Sequence, residues 1–257
     1  IGSIGALIGS KPVHTINTTP ESYEVQKLFH DMVEADCEFV VMEVSSHALE
    51  LNRVYGIKFI VGVFTNLSED HLDFHETMED YLNAKAKLFK MSDFAIVNGD
   101  DIYAPRLLKM IETKKATYGL DNAVDLTATD VRINPSYVEF KMYVNKMLET
   151  IKINIPGRFT VYNALAAIGV CSLFGAQMDS ILASLAALRV PGRNEVMDLN
   201  KTFTVIIDYA HTPASLEAIL TSAKKYTKGR VICVFGCGGD RDKEKRAMMG
   251  EVAGRLA

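Results

Sequence analysis

Glu38-Phe39-Val40-Val41-Met42-Glu43-Val44 is a short run rich in β-branched and aromatic side chains, with the ionisable Glu43 one place before its end. A run of this length is too brief for a typical helix and predicts a strand buried on both faces, as in a parallel sheet. Residues 59–65 (FIVGVFT) and 93–97 (DFAIV) read the same way. Helical patterns lie between these runs, over 23–35 and 77–91, and Thr77 with Asp80 three positions on suits a capping arrangement. Strands alternating with helices predict an α/β fold with a mostly parallel central sheet flanked by helices.

Working outward, residues 137–144 (YVEFKMYV) alternate apolar and polar side chains, the pattern of an antiparallel strand with one wet face. The flanking stretches 126–133 and 148–155 are similar, which predicts a small antiparallel subsheet. Helices are expected over 160–174, ending at Gly175, and over 178–188. Pro191-Gly192-Arg193 then marks a boundary between a domain at 1–191 and a second α/β domain beginning at 192–257. Strands at 203–208 and 230–235, around a helix at 213–225, would form its first βαβ unit. Two or three strands are too few for an independent domain, so the sequence is expected to be truncated at its C-terminal end.

The 257 residues carry 28 basic and 32 acidic side chains, a net charge of −4, and 48% are hydrophobic. The charges are mixed along the chain, which excludes the basic stripe of a nucleic-acid binder and the polybasic cluster of a membrane-surface protein. Cys37, Cys171, Cys233 and Cys237 lack metal-ligand spacing and read as reduced core residues. No apolar run approaches the ~20 residues of a membrane helix, and the first residues lack the basic lead of a signal peptide. A cytoplasmic location follows as the expectation.

Polar residues mass at the ends of predicted strands, where open α/β sheets hold ligands. Glu43-Val44-Ser45-Ser46-His47 follows the first strand, and Thr65-Asn66-Leu67-Ser68-Glu69-Asp70-His71 follows the second. Glu43 is the type of ligand a hard cation takes, although ordinary loop polarity explains such residues too. Lys85, on the helix at 77–91, reads from periodicity alone as a solvated face residue. Asp208-Tyr209-Ala210-His211-Thr212-Pro213 opens a helix with proline at its first position, which accounts for Thr212 and Pro213 but not for Asp208 or His211. Gly236-Cys237-Gly238-Gly239, between a predicted strand and a helix, could offer backbone N–H groups to an anion. No G-x-x-x-x-G-K-[ST] segment occurs in the chain.

Taken in order, these clusters resemble the Mur ligases of peptidoglycan synthesis, and most closely the UDP-N-acetylmuramoyl-tripeptide synthetase branch. The matching segments are Asn17-Thr18-Thr19-Pro20, MEVSSHAL (42–49) with Arg53, FTNLSEDHLDFH (64–75), AKAKLF (84–89), GRFTVYNALAAIG (157–169), VPGRNEV (190–196), DYAHTP (208–213) and VFGCGGDRDKEKR (234–246). The resemblance implies a central ATPase domain at 1–191 and the start of a Rossmann-like ligase domain at 192–257, with the phosphate loop and the uridine-binding domain upstream of Ile1.

It implies that Asn17, Thr18, Thr19, Ser45 and Arg53 hold a UDP-MurNAc-dipeptide, with His211 also on the substrate side and Arg241 facing the incoming diamino acid. Glu43, His71 and a carbamylated Lys85 would be Mg²⁺ ligands and the catalytic set. Asn163, Arg193 and Asp208 would contact ATP. The implied enzyme is a monomer whose ATP first turns the dipeptide's terminal carboxylate into an acyl phosphate, which the amino acid's amine then attacks. Thr160, Asn194, Ala214 and Ala247 depart from the family pattern without removing an implied ligand. Another ligase of the same superfamily, such as a folylpolyglutamate synthetase, and a non-catalytic fragment without its phosphate loop are the alternatives.

Overall fold

The computed structural model describes residues 1–70, 74–144, 147–197, 199, 201–238 and 244–257. In chain order it runs β1 (Ala6–Ile8), β2 (Lys11–Val13), α1 (Ser22–Glu34), α2 (Ser46–Glu50), β3 (Phe59–Phe64), α3 (Met78–Lys90), β4 (Ser92–Asn98), α4 (Ala104–Met110) and β5 (Lys114–Gly119). It continues through β6 (Leu126–Thr127), β7 (Thr129–Ile133), β8 (Val138–Val144), β9 (Met147–Ile153), α5 (Arg158–Leu173), α6 (Met178–Ala187), β10 (Glu195–Met197), β11 (Val205–Ile207), α7 (Pro213–Tyr226) and α8 (Glu244–Leu256). Two compact units result: Ile1–Gly62, His71–Ala95 and Pro105–Lys115 form one, and Val63–Asp70, Ile96–Ala104 and Ala116–Ala257 the other.

In the first unit, α1 buries Val25, Leu28 and Met32, the i, i+3, i+7 stripe that its sequence prescribes. Its start is fixed by a capping box between Glu21 and Glu24. The Thr77 hydroxyl accepts the Asp80 N–H at 3.1 Å, the cap expected for α3. That helix packs on α2 and buries Leu82 completely.

The central sheet has the order β3-β4-β5-β6, with β3, β4 and β5 contributing residues to both units, and β5 pairs parallel with β6. The expected strand at 126–133 is therefore divided, its first residues joining this sheet and the rest entering the antiparallel sheet β7-β8-β9. In that sheet Val138, Phe140 and Met142 point inward and pair in unbroken register with the β9 residues Ile153 to Glu149. The sheet-facing helix α5 carries Gly169 where a Cβ would lie 2.9 Å from the Leu126 side chain and 3.3 Å from that of Ile96, so a larger residue there would push those side chains aside. Further along, β10 pairs antiparallel with β11, and α7 packs on α8 through Leu216, Leu220, Met249 and Val252.

Two expected strands are absent. Residues 38–44 and 230–235 enter no sheet among the described residues, and Val41 is 82% and Val234 94% exposed. An apolar run supplies side chains for a strand, but a strand also needs a neighbour to take up its backbone donors and acceptors. Residues 38–44 are instead tied to the first residue, from Ile1 N to Val41 O and from Glu43 N to Ile1 O, each at 2.9 Å. The expectation of burial on both faces holds for the second half of β4 and fails in β3, where Ile60 is 59% exposed. The four cysteines are free thiols and only half-buried, so they line the core's edge and do not fill it.

Candidate functional site

In the first unit the polar residues of three chain segments converge. Glu43, beyond the 38–42 run, accepts the Ser3 hydroxyl at 2.7 Å and the Ser3 N–H at 3.1 Å. Ser3 Oγ shares a 3.2 Å hydrogen bond with Thr18 Oγ1. Thr19 is buried; its hydroxyl donates to Glu43 O at 2.8 Å and accepts the Ser45 N–H at 3.0 Å. Ser45 in turn caps α2 by accepting the Ala48 N–H at 3.1 Å. Arg53 donates from Nη1 to Thr19 O at 3.1 Å and pairs through Nη2 with Glu21 at 2.8 Å, while its buried Nε–H has no partner among the described residues. The implied substrate residues Thr18, Thr19, Ser45 and Arg53 are thus one bonded cluster with Glu43, and Asn17 is next to it in the chain. Its oxygen-rich composition, with one carboxylate and several hydroxyls, suits a hard cation such as Mg²⁺.

Lys85 lies on α3 with its ammonium 5.0 Å from the centre of the Tyr81 ring. Tyr81 stacks on His75 at 4.8 Å, and the buried His75 shares a 2.8 Å hydrogen bond with Ser46 Oγ. His47 lies 4.0 Å from Phe74, centroid to centroid. Lys87, two positions on, pairs with Glu50 at 2.7 Å. Of the two lysines in AKAKLF, Lys85 is therefore the one set against an aromatic wall. His71 and Arg241 lie outside the described residues. Among the described residues no three His, Cys, Asp or Glu side chains come together as a metal centre.

In the second unit, the β10–β11 pair gathers Arg193, Asp208 and Tyr209. Asp208 accepts the Asn194 N–H at 2.7 Å and the Ala210 N–H at 2.8 Å. The Arg193 guanidinium sits 4.6 Å over the Tyr209 ring, a cation–π contact. His211 shares a hydrogen bond with Tyr209 O at 2.9 Å, and Thr212 opens α7 with a capping box, as its sequence prescribes. Asn194 is buried at φ 45° and donates to Pro156 O, just ahead of α5. Asn163 stands exposed in the second turn of α5.

Sequence reasoning missed the most heavily bonded carboxylate of this unit. Asp100 accepts the N–H groups of Leu120, Asp121 (3.0 Å) and Asn122 (2.8 Å), and the Tyr162 hydroxyl at 2.9 Å. Burial works against its charge, but these donors outweigh it and hold the carboxyl below its ordinary value. Tyr162 is pushed up to about 12 by burial and by Asp100. Arg158 forks onto Asp121 at 2.6 and 2.8 Å. Beside Asp100, Asn98 donates to Thr65 O at 2.8 Å, and Asp101 accepts the N–H groups of Leu67 at 2.8 Å and Tyr103 at 2.9 Å. The signal available in sequence was the Asn98-Gly99-Asp100-Asp101 turn after a buried strand.

Residues 1–171 match the family model described as the Mur ligase middle domain, and residues 192–257 match the one described as Mur ligase, glutamate ligase domain. The chain is 47% identical over 260 residues to the UDP-N-acetylmuramoyl-L-alanyl-D-glutamate–2,6-diaminopimelate ligase of Clostridium botulinum. It is 40% identical over 267 residues to the ligase of the same name from Bacillus cereus. All of this chain is covered in each case but 54% of the relative, so the chain spans about half the length of the relatives it matches. A solved structure of a ligase of that name superposes with a TM-score of 0.76 at 30% identity, over 100% of this chain and 54% of the other. The MurF ligase of Thermotoga maritima, solved with ADP, shares the fold alone, with a TM-score of 0.68 at 19% identity over 88% of this chain and 55% of the other. With models of two successive domains matched over most of its length, the chain belongs to the Mur ligase family.

Proposed function

We propose that this chain is part of an ATP-dependent ligase that adds a diamino acid as the third residue of UDP-MurNAc-L-Ala-D-Glu. The observation that carries the reading is the name shared by relatives at 40–48% identity across the whole chain, a 2,6-diaminopimelate ligase acting on the L-alanyl-D-glutamate precursor. In this reading residues 1–191 belong to the central ATPase domain and 192–257 to the ligase domain.

When bound, ATP and Mg²⁺ supply the phosphoryl group that makes the dipeptide's terminal carboxylate a competent acyl donor, together with the charge that steadies its transfer. The chain's own residues bind and orient. Thr18, Thr19, Ser45 and Arg53 present hydroxyls and a guanidinium to an anionic substrate, with Asn17 alongside. Glu43, held by Ser3, and His71 offer ligands to the cation. Carbamylation turns the Lys85 ammonium into an anion of carboxylate type, and the Tyr81 wall that now faces the ammonium would then border a third metal ligand. Asn163, Arg193 and Asp208 meet the nucleotide; His211 and Arg241 lie on the side of the substrate and the amine.

The test is amide formation by the product of the complete reading frame, with UDP-MurNAc-dipeptide and folate compared as acyl donors and diaminopimelate, lysine and glutamate as amines. Turnover with folate alone would assign the chain to another branch of the superfamily, and turnover with neither would leave a non-catalytic role. Lys85→Ala should lower ligation ~10²-fold or more, the scale for losing one charge-stabilising group. Bicarbonate or formate should restore part of it, and unchanged turnover in the variant would remove Lys85 from the site.

A further inference from the structure

Asn98-Gly99-Asp100-Asp101 ties together segments far apart in the sequence of the second unit. Asn98 and Asp101 hold Thr65 and Leu67, in the loop that follows β3, while Asp100 holds the 120–122 turn and the Tyr162 hydroxyl on α5. A helix's own ladder fixes its pitch but not its rotation about its axis, and each residue step turns the side chain by ~100°. Tyr162 immediately precedes Asn163, and Arg158, one turn earlier, is anchored on Asp121 in the turn that Asp100 holds. Besides the packing of its buried face, the first two turns of α5 are therefore tied through Tyr162 and Arg158 to Asp100 and the turn it holds, next to the position from which Asn163 projects.

We propose that Asp100 is a positioning residue for the nucleotide, acting through Tyr162 and the 120–122 turn on Asn163. This rests on the reading that Asn163 contacts the nucleotide. Coulomb's law sharpens it, because removing a negative charge should by itself tighten the binding of an anionic nucleotide, whereas loss of positioning weakens it.

The experiment measures the affinity of mant-ADP with Mg²⁺ for the product of the complete reading frame, at a temperature where circular dichroism shows every variant folded. Asp100→Asn should weaken binding on the order of tenfold, the scale of one well-placed hydrogen bond lost. Tyr162→Phe keeps the three backbone contacts and the Arg158–Asp121 pair and removes only the hydroxyl's bonds to Asp100 and Asp121, and it should weaken binding several-fold. In an Asn163→Ala background, Asp100→Asn should add no further loss. Wild-type affinity in Asn163→Ala would remove the nucleotide from this helix, and the inference with it. Loss in Asn163→Ala beside wild-type affinity in Asp100→Asn and Tyr162→Phe would overturn the positioning role alone. So would an Asp100→Asn penalty of equal size in both backgrounds, because a general loosening of the fold is blind to Asn163. If Asp100→Asn does not fold, Tyr162→Phe decides.

Discussion

Gly119→Ala should destabilise this protein through a carboxylate that it never touches covalently. Gly119 is the last residue of β5 and has no positive φ, so a methyl group adds no backbone strain there. A Cβ at that position would lie 2.7 Å from Asp100 Oδ2 and 2.8 Å from both Oδ1 and Cγ. The carboxylate must move away, and the amides of Leu120, Asp121 and Asn122 lose their acceptor. Hydrogen bonds to a charged group are worth ~1.5–3 kcal/mol each in favourable settings. Asp100 is only half-buried, and screening lowers the total for the three to about 2 kcal/mol. For a chain of this size that is a fall in Tm of roughly 4–8 °C.

The same change has a pH signature. A carboxyl whose folded pKa is depressed contributes stability that is present above its unfolded value near ~3.9 and lost as pH falls through the folded value. Urea unfolding followed by circular dichroism at neutral pH and again below about pH 4 should therefore show the gap between wild type and Gly119→Ala narrowing in acid. A variant within ~0.5 kcal/mol of wild type at neutral pH, the usual range of a harmless surface change, would refute the reasoning. So would a gap that stays constant into acid.

Tyr162, held up to about 12, and Tyr118, raised mainly by burial, contribute stability that is complete below the ordinary tyrosine value of ~10 and lost as pH rises through their folded values. Phenolate absorbance should show these two titrating only with or after alkaline unfolding. Thr212→Ala removes the hydroxyl that accepts the Ser215 N–H at 3.2 Å and should cost about 1 kcal/mol in denaturant unfolding, with Thr212→Ser close to neutral. Leu82→Ala empties a fully buried site on α3 and should cost ~2–5 kcal/mol by the same measurement.

Legibility followed the range of the interaction. Elements declared by local periodicity were readable: α1 from Val25, Leu28 and Met32, β8 from its alternation, and α3 and α7 from the caps at Thr77 and Thr212. β5 escaped because Lys114 and Lys115 make its first half polar, and the single-turn α2 and the short α4 have too few residues to show a period. Residues 38–44 and 230–235 were misread because strand pairing is a property of two segments, and a sequence window contains only one. The Glu43 cluster was visible as polar residues at a strand end, and the family resemblance assigned its roles. Of the Asp100 network only the Asn98-Gly99-Asp100-Asp101 turn was open to sequence reading, because its donors lie 20 to 22 and 62 residues away along the chain.

Arg53 is a cation whose two terminal nitrogens are already spoken for, one by a backbone carbonyl and the other by the carboxylate that begins α1. Each of those nitrogens keeps a second N–H, so an anion docking there would meet a guanidinium plane already fixed by Thr19 and Glu21 without having to displace either.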